Sequence, residues 1–174
     1  MDRVYCARCG EEHDLSELEP RFRRPDAYLA IPSDERERRA AAGDDWCRLQ
    51  SADGRRNEYF LRVLLPIPMR GETEPRRWGI WVEVSEGAYD RANELWDDPA
   101  QAAEPPFPGR LANALPGYPP TLGLPGYVQL TGPASAPTFS LDPGVVHPLA
   151  TEQREGVYPE RVLEWLSGYL HPRD

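Results

Sequence analysis

The opening stretch CARCGEEH holds residue types that can bind a metal ion or exchange electrons. Cys6 and Cys9 are separated by two residues, a spacing at which two thiolates can grip one ion, and Gly10 allows a sharp turn after them. A tetrahedral zinc site needs two further ligands, and His13 and Cys47 are the nearest candidates along the chain. We therefore predict a closed, structural zinc site formed by Cys6, Cys9, His13 and Cys47.

Other interpretations of the same thiols stay open. A redox pair needs its first thiol at a helix N-terminus, where the dipole lowers the pKa, whereas the flanks of this CxxC predict a hairpin and two glutamates follow it. Alternatively, the paired thiols are reduced and unligated, and Cys47 is a small buried hydrophobe. His147 and His171 are more distant alternatives as zinc ligands.

An enzyme would need a nucleophile, or two titratable groups within reach of each other. Cys47 with His147 is the simplest nucleophile and base, although nothing in the sequence brings them together. Carboxylate pairs can act as acid and base, but solvated faces of helices and strands explain them more readily; the pairs are Glu83 with Glu86 and Glu152 with Glu155. The chain has no GxSxG, HExxH, Walker or GxGxxG motif.

Charge and composition narrow the class of partner. Lys and Arg number 20 against 29 Asp and Glu, a net charge of −9, so a phosphate backbone or an anionic membrane would be repelled. No apolar run approaches the roughly 18 residues of a membrane span, and none follows the first basic residues, so we expect no secretory signal. Three cysteines fit reduced thiols or metal ligation better than a disulfide framework. We expect a cytoplasmic protein that binds neither nucleic acid nor membrane, and a basic protein partner for its acidic surface.

Hydrophobic periodicity predicts an α+β fold built on an antiparallel sheet. Strands are expected over 3–6, 46–50, 58–65, 77–85, 126–131 and 137–141, and an apolar segment over 26–31 stops at Pro32. In the fourth of these strands Trp78, Ile80, Val82 and Val84 share one face, which leaves Trp81 on the more polar face.

Helix signals occur at four places. Ser33 can cap a short solvated helix that ends near Gly43, and Ser85 can cap a helix over 86–96 that packs on the sheet. Pro148 and Gly156 bound a third helix, and Pro159 begins a fourth. One stripe of the fourth helix is apolar, formed by Val162, Trp165, Leu166, Tyr169 and Leu170.

The segment 99–126 contains eight prolines and four glycines, so regular structure should be scarce there. It also carries six large apolar side chains, which a flexible linker would lack, so we expect an ordered loop wrapped over the core. Trp81, Tyr118 and Tyr127 either line a pocket beneath this loop or pack it against the sheet. The chain 1–174 is then one domain, with residues 1–20 as a knuckle-like arm.

Five stretches together carry a family resemblance: CARCGEEH, WGIWVEVSE, ELWDDP, PGYPPTLGL and HPLATEQREG. They resemble the bacterial family designated domain of unknown function 2199, from about Tyr5 to near the end of the last helix. The resemblance implies no assigned activity. It implies that Cys6, Cys9, His13 and Cys47 lie where the family tends to carry the same residue types, which favours a structural metal.

Two functions from different classes follow. The first is an uncharacterised cytoplasmic bacterial protein that acts as a non-enzymatic binding or interaction module and carries a structural zinc. The alternative is a small enzyme with a pocket beneath the 99–126 loop, which uses Cys47, His147 or a carboxylate. A deep pocket with two titratable groups in hydrogen-bond reach would favour the enzyme.

Overall fold

Strands and short helices alternate along the computed structural model, which describes residues 3–5, 10–14 and 19–170 of the chain. In chain order the strands are β1 (Arg3–Tyr5), β2 (Glu12–Asp14), β3 (Ala40–Ala42), β4 (Trp46–Gln50), β5 (Asn57–Ile67), β6 (Arg76–Val84), β7 (Phe107–Leu111), β8 (Pro125–Gln129) and β9 (Thr138–Leu141). The α-helices are α1 (Asp26–Ala30), α2 (Ser33–Arg39), α3 (Glu86–Glu94), α4 (Pro148–Glu155) and α5 (Pro159–Leu170), and a 3₁₀ helix covers Pro99–Ala103.

The main sheet closes into a five-stranded barrel. Its strand order is β3-β4-β5-β6-β7-β8-β9, with antiparallel neighbours throughout, and β9 also pairs in parallel with β5 through Leu64 and Thr138. Closure is possible because β5 is long: its first residues pair with β4 over 57–61, and the strand then continues to meet β9. The fold is therefore α+β, as the sequence predicts. The antiparallel meander was expected, whereas its closure into a barrel was not.

Alternating side chains of the barrel strands form the main core. The apolar face predicted for β6 lies entirely within it, and α5 covers it with the buried residues of its predicted stripe. The Trp165 ring lies 5.6 Å from the Trp78 ring, centroid to centroid. Leu149 and Ala150 of α4 complete this cover. The two carboxy-terminal helices are thus core elements.

A second, smaller core lies on the opposite face of β6. Trp81 was expected on a more polar face, but it is fully buried there, and its indole Nε1 donates a hydrogen bond to the Phe22 carbonyl at 3.0 Å. Its buried neighbours in this small core are Ile31, Cys47, Leu49, Phe60 and Ala112. The Pro-rich segment supplies only Ala112 of this set. The chain around α1 and strand β3 also pack against this core, so the loop over 99–126 covers Trp81 only in part.

The chain before α1 completes the edge of β6 that β7 leaves free. The β6–β7 ladder covers only residues 82–84 of β6. Beyond it, the Gly79 N–H donates to the Pro20 carbonyl at 2.8 Å, and the Gly79 carbonyl accepts from the Phe22 N–H at 2.9 Å. A Cβ at Gly79 would lie 2.7 Å from the Cβ of Arg21, so glycine permits this close approach. Backbone pairing therefore fixes residues 20–22 on the barrel.

Several local predictions need correction. The apolar segment 26–31 contains helix α1, and the helix expected to run from Ser33 towards Gly43 ends at Arg39, because the next three residues pair with β4 as β3. The segment 99–126 is described throughout and contains β7, although regular structure was expected to be scarce. Pro108 is tolerated in β7 because it lies outside the ladder to β6, which begins at Gly109.

In the part of the chain that the structure describes, no helix is long and apolar enough to cross a membrane.

Candidate functional site

The predicted zinc ligands lie only partly within the described residues. Cys6 and Cys9 fall outside them, so the four-ligand site stays a prediction. The strands that flank the CxxC form an antiparallel hairpin, in which half-buried His13 of β2 pairs with Val4 of β1. Within 3–5, 10–14 and 19–170, no three or more His, Cys, Asp or Glu side chains are grouped so that they could hold a metal ion.

Cys47 lies in the centre of the small core. It is fully buried, and its backbone neighbours across the sheet are Ala42 of β3 and Phe60 of β5. Burial raises the pKa of the Cys47 thiol to about 11, and the positive charge of Arg24 offsets part of that rise. Such a thiol is protonated at neutral pH and is a poor nucleophile. These surroundings favour the interpretation of Cys47 as a small buried hydrophobe.

His147 caps α4. Its Nδ1 accepts a hydrogen bond from the Leu149 N–H at 3.1 Å, and its ring lies 6.4 Å from the Tyr118 ring. Tyr118 packs against the main core, whereas Cys47 belongs to the small core. The fold therefore does not bring this imidazole and this thiol together as a catalytic pair.

A polar cluster fastens the Pro-rich segment to α4 and α5. The Tyr118 hydroxyl donates to the Glu152 carboxylate, and Arg161 donates to Glu152 Oε1 at 2.7 Å and to the Gly117 carbonyl at 2.8 Å. The Arg161 guanidinium also lies 4.8 Å from the centre of the Tyr118 ring. Burial, and then the bond to Glu152, raise the pKa of the Tyr118 hydroxyl. Glu152 thus holds the segment in place through two charged or polar partners.

The other carboxylate pair is also divided between two environments. Glu86 accepts a hydrogen bond from the Tyr59 hydroxyl at 2.8 Å. Glu83 is half-buried in β6, where burial, followed by the neighbouring Glu58 carboxylate, raises its pKa. It lines a cleft of about 410 Å³ that Tyr127 also lines, and Tyr127 is 40% exposed. This cleft lies across β6, β7 and β8 on the barrel wall and not beneath a loop.

A second groove, of about 460 Å³, runs between α4 and α5. Four glutamates line it against two arginines; the set is Glu152, Glu155, Glu160, Glu164, Arg70 and Arg161. Tyr158, in the turn between the helices, is 59% exposed, and the Arg70 guanidinium lies 5.0 Å from its ring centre. From the sequence, Glu152 and Glu155 were explained as part of a solvated helix face. The missed signal was an aromatic residue in the turn between two acidic helices.

Comparison with known proteins identifies the family of the chain. A family model described as an uncharacterized protein conserved in bacteria (DUF2199) matches residues 5–157. No curated protein and no solved structure matches the chain. The matched range includes the whole barrel and α4 and stops before α5, which begins at Pro159.

Proposed function

Because the chain belongs to the DUF2199 family of uncharacterized bacterial proteins, we propose its function from its own surface: a non-enzymatic module that binds a basic segment of a protein partner. The groove between α4 and α5 is the proposed docking site. The observation that supports this proposal is the excess of carboxylates around that groove, four glutamates against two arginines. A partner with lysine or arginine side chains complements this charge.

Two of the glutamates are available to a partner. Glu155 and Glu160 are exposed, and their carboxylates form no hydrogen bond or ion pair within the part of the chain that the structure describes. Exposed ion pairs contribute only about 0–1 kcal/mol each, so these charges would mainly steer and orient the partner. Tyr158 supplies contact area with a polar tip, a combination enriched at protein interfaces.

The residues named for an enzyme have other roles in the fold. Cys47 is buried with a raised pKa, His147 caps α4, and Glu152 is bonded to Tyr118 and Arg161. Among residues 3–5, 10–14 and 19–170, none of these three is hydrogen-bonded to a free titratable partner of the kind that a hydrolytic or transfer reaction requires. Their environments therefore support the binding module over the enzyme.

A structural zinc ion at Cys6, Cys9, His13 and Cys47 remains part of the proposal, on the strength of the CxxC spacing. Cys47 is the least suitable ligand, because its thiol would have to lose a proton inside an apolar cluster. Protein purified without chelator should contain about one zinc per chain, and Cys6→Ser should lose it. Metal-free parent protein would overturn the zinc site, and a Cys47→Ala variant that retains zinc would show that the fourth ligand lies elsewhere.

Peptide binding tests the docking site. The probe is a fluorescent ten-residue peptide with alternating lysine and alanine, titrated at near-physiological salt so that long-range attraction is screened. The double variant Glu155→Gln with Glu160→Gln should weaken binding about tenfold. Tyr158→Ala, which leaves the charge unchanged, should also weaken binding.

The matched control changes the net charge by the same amount outside the groove, through Glu37→Gln with Asp90→Asn, both at exposed helical positions. It should alter the dissociation constant less than about twofold. Equal weakening by both double variants, with no effect of Tyr158→Ala, would show that only net charge matters and would overturn the assigned groove.

A further inference from the structure

A cavity of about 530 Å³ beside the small core is lined by four arginines, although the chain as a whole carries a net charge of −9. Its lining consists of Arg21, Phe22, Arg23, Arg24, Leu29, Asp44 and Arg62. We propose that this arginine cavity binds a small organic ligand that carries a carboxylate or phosphate group. The site is separate from the groove between α4 and α5, and no residue lines both.

The cavity has uncompensated positive charge. Arg62 is neutralised by Asp45, whose Oδ1 accepts from Arg62 Nε at 2.9 Å and from Nη2 at 2.7 Å. Arg21, Arg23 and Arg24 form no ion pair within the described residues. Counting Asp44 and Asp45 against the four arginines leaves an excess of 4 − 2 = 2 positive charges. An oxyanion would supply the missing negative charge.

Arg24 is held in place before any ligand arrives. Its Nη1 donates to the carbonyls of Gly43 and Arg23, both at 3.0 Å. Its guanidinium lies 5.5 Å from the centre of the Tyr28 ring and 6.0 Å from that of Trp81. These contacts leave Nε and Nη2 without a partner in the described part of the chain, and the two can donate side by side to the oxygens of one oxyanion. A guanidinium that is already ordered loses less entropy on binding.

The backbone that carries these arginines is fixed as well. Residues 20–22 are paired with Gly79 of β6, and the next residues lead directly into α1. The position of Arg21 and Arg23 is therefore set by the barrel, as a binding site for a small ligand requires.

Apart from Asp44, the remaining wall of the cavity is apolar. Phe22 is half-buried, and its ring stacks on Trp78 at 6.3 Å between centroids, while Leu29 is 60% exposed. The volume falls within the range of small-molecule sites, about 300–1,000 Å³. An oxyanion joined to an aromatic or aliphatic group would use both the arginines and this wall.

Calorimetric titration with defined probes tests the proposal. Phenyl phosphate and benzoate carry the two possible oxyanions on the same ring, inorganic phosphate lacks the ring, and benzyl alcohol lacks the charge. We expect saturable binding of phenyl phosphate or benzoate, whichever oxyanion the site prefers, weaker binding of inorganic phosphate, and none of benzyl alcohol. No saturable binding of either aromatic anion up to about 10 mM would overturn the site.

Variants then locate the binding. Arg24→Gln should weaken binding of the preferred probe about tenfold or more, and Arg23→Gln about threefold. Arg23 is exposed and its side chain forms no bond within the described residues, so its variant should fold even if Arg24→Gln does not. Arg55→Gln removes the same charge from an exposed turn and should leave binding unchanged. Equal weakening by Arg55→Gln and Arg23→Gln would overturn the assignment.

Discussion

At the scale of single residues, burial decides which groups can carry charge. Asn113 is fully buried, yet each of its polar atoms has a partner: its Oδ1 accepts from the Trp81 N–H at 2.8 Å, and its Nδ2 donates to the Arg24 carbonyl and to Asp26 Oδ1, both at 3.0 Å. This single amide joins β6, the chain before α1, and α1 itself. Cys47 is fully buried and Glu83 is half-buried, and neither side chain has a hydrogen-bond partner among the described residues; both have raised pKa values.

For Cys47 this predicts chemical inertness. With a pKa of about 11, about one thiol in a thousand is ionised at pH 8, and the fully buried side chain is also shielded. Native protein treated with iodoacetamide at pH 8 should leave Cys47 unmodified, as measured by mass spectrometry of its peptide. The same treatment in guanidinium chloride serves as the control and should alkylate it fully. Rapid modification in the native state would show that the small core opens readily.

For Glu83, the raised pKa predicts a loss of folding stability that grows as the pH rises. The native pKa lies above the ordinary value of 4.5, so the native state binds its proton more tightly than the unfolded state does. Stability is therefore lost as pH rises from the unfolded pKa through the native pKa. Glu83→Gln should raise the melting temperature at pH 7, and this gain should vanish below about pH 4.

Denaturation of both proteins at several pH values measures this difference. Glu37→Gln, at an exposed helical position, is the control and should show no such pH-dependent gain. A Glu83→Gln variant that is less stable than the parent at pH 7 would contradict the prediction and would show that attraction to Arg110 outweighs burial.

At the scale of elements, β6 connects most of the fold. One face of this strand enters the main core and the other enters the small core, while its free edge binds the chain before α1. The pairing of residues 20–22 with β6 is possible because Gly79 has no side chain. The main-core face of β6 is covered by α5.

Gly79→Ala tests the edge contact. The new Cβ would lie 2.7 Å from Arg21 Cβ and 3.3 Å from Arg21 Cα, and neither atom can move without shifting the paired backbone. We expect a loss of about 1–3 kcal/mol in the free energy of unfolding, measured in urea, and faster amide exchange at Phe22. Gly87→Ala is the control: among the described residues, no atom outside the local helix backbone lies within 4 Å of the added Cβ, and alanine favours helix, so the variant should gain up to about 1 kcal/mol in the free energy of unfolding. If Gly79→Ala and Gly87→Ala change the free energy of unfolding equally, the close approach of Arg21 to Gly79 does not limit stability.

Trp165→Ala tests the cover provided by α5. Trp165 is 1% exposed and contacts Trp78 and Tyr118, so truncation should cost about 3–5 kcal/mol in chemical denaturation. Its indole Nε1 has no hydrogen-bond partner within the described residues, so Trp165→Phe, which loses no hydrogen bond, should cost much less. If Trp165→Ala instead leaves the melting temperature within about a degree and changes the mass in solution, α5 serves assembly rather than the core.

At the scale of the whole molecule, the features that the sequence predicted are local ones. The structure has the predicted apolar face of β6, the Ser85 cap and the Pro148 and Gly156 boundaries of α4, and it buries three residues of the α5 stripe. Each of these features depends on neighbouring residues. Barrel closure, β3 and the burial of Trp81 depend on partners far along the chain, which periodicity does not reveal.

The candidate sites follow the same division. The glutamates of α4 and α5 were visible in the sequence, but the groove exists because two helices and Arg70 meet in space. The arginine cavity combines residues 21–24 with Leu29, Asp44 and Arg62, which no spacing rule joins. Of the four predicted zinc ligands, the structure describes His13 and Cys47 only. The zinc site therefore stays a prediction that metal analysis must test.

The parallel contact between β5 and β9 also sets an order of events as the chain folds. It joins Leu64 to Thr138, which are 138 − 64 = 74 positions apart, whereas β5, β6 and β7 pair with near neighbours. Closing a long loop costs more entropy than closing a short one, so we expect the meander to form first and the barrel to close last. During synthesis on a ribosome, we therefore expect the edge of β5 that faces β9 to stay unpaired until β9 has emerged, and we expect the nascent protein to be most prone to aggregation in this interval.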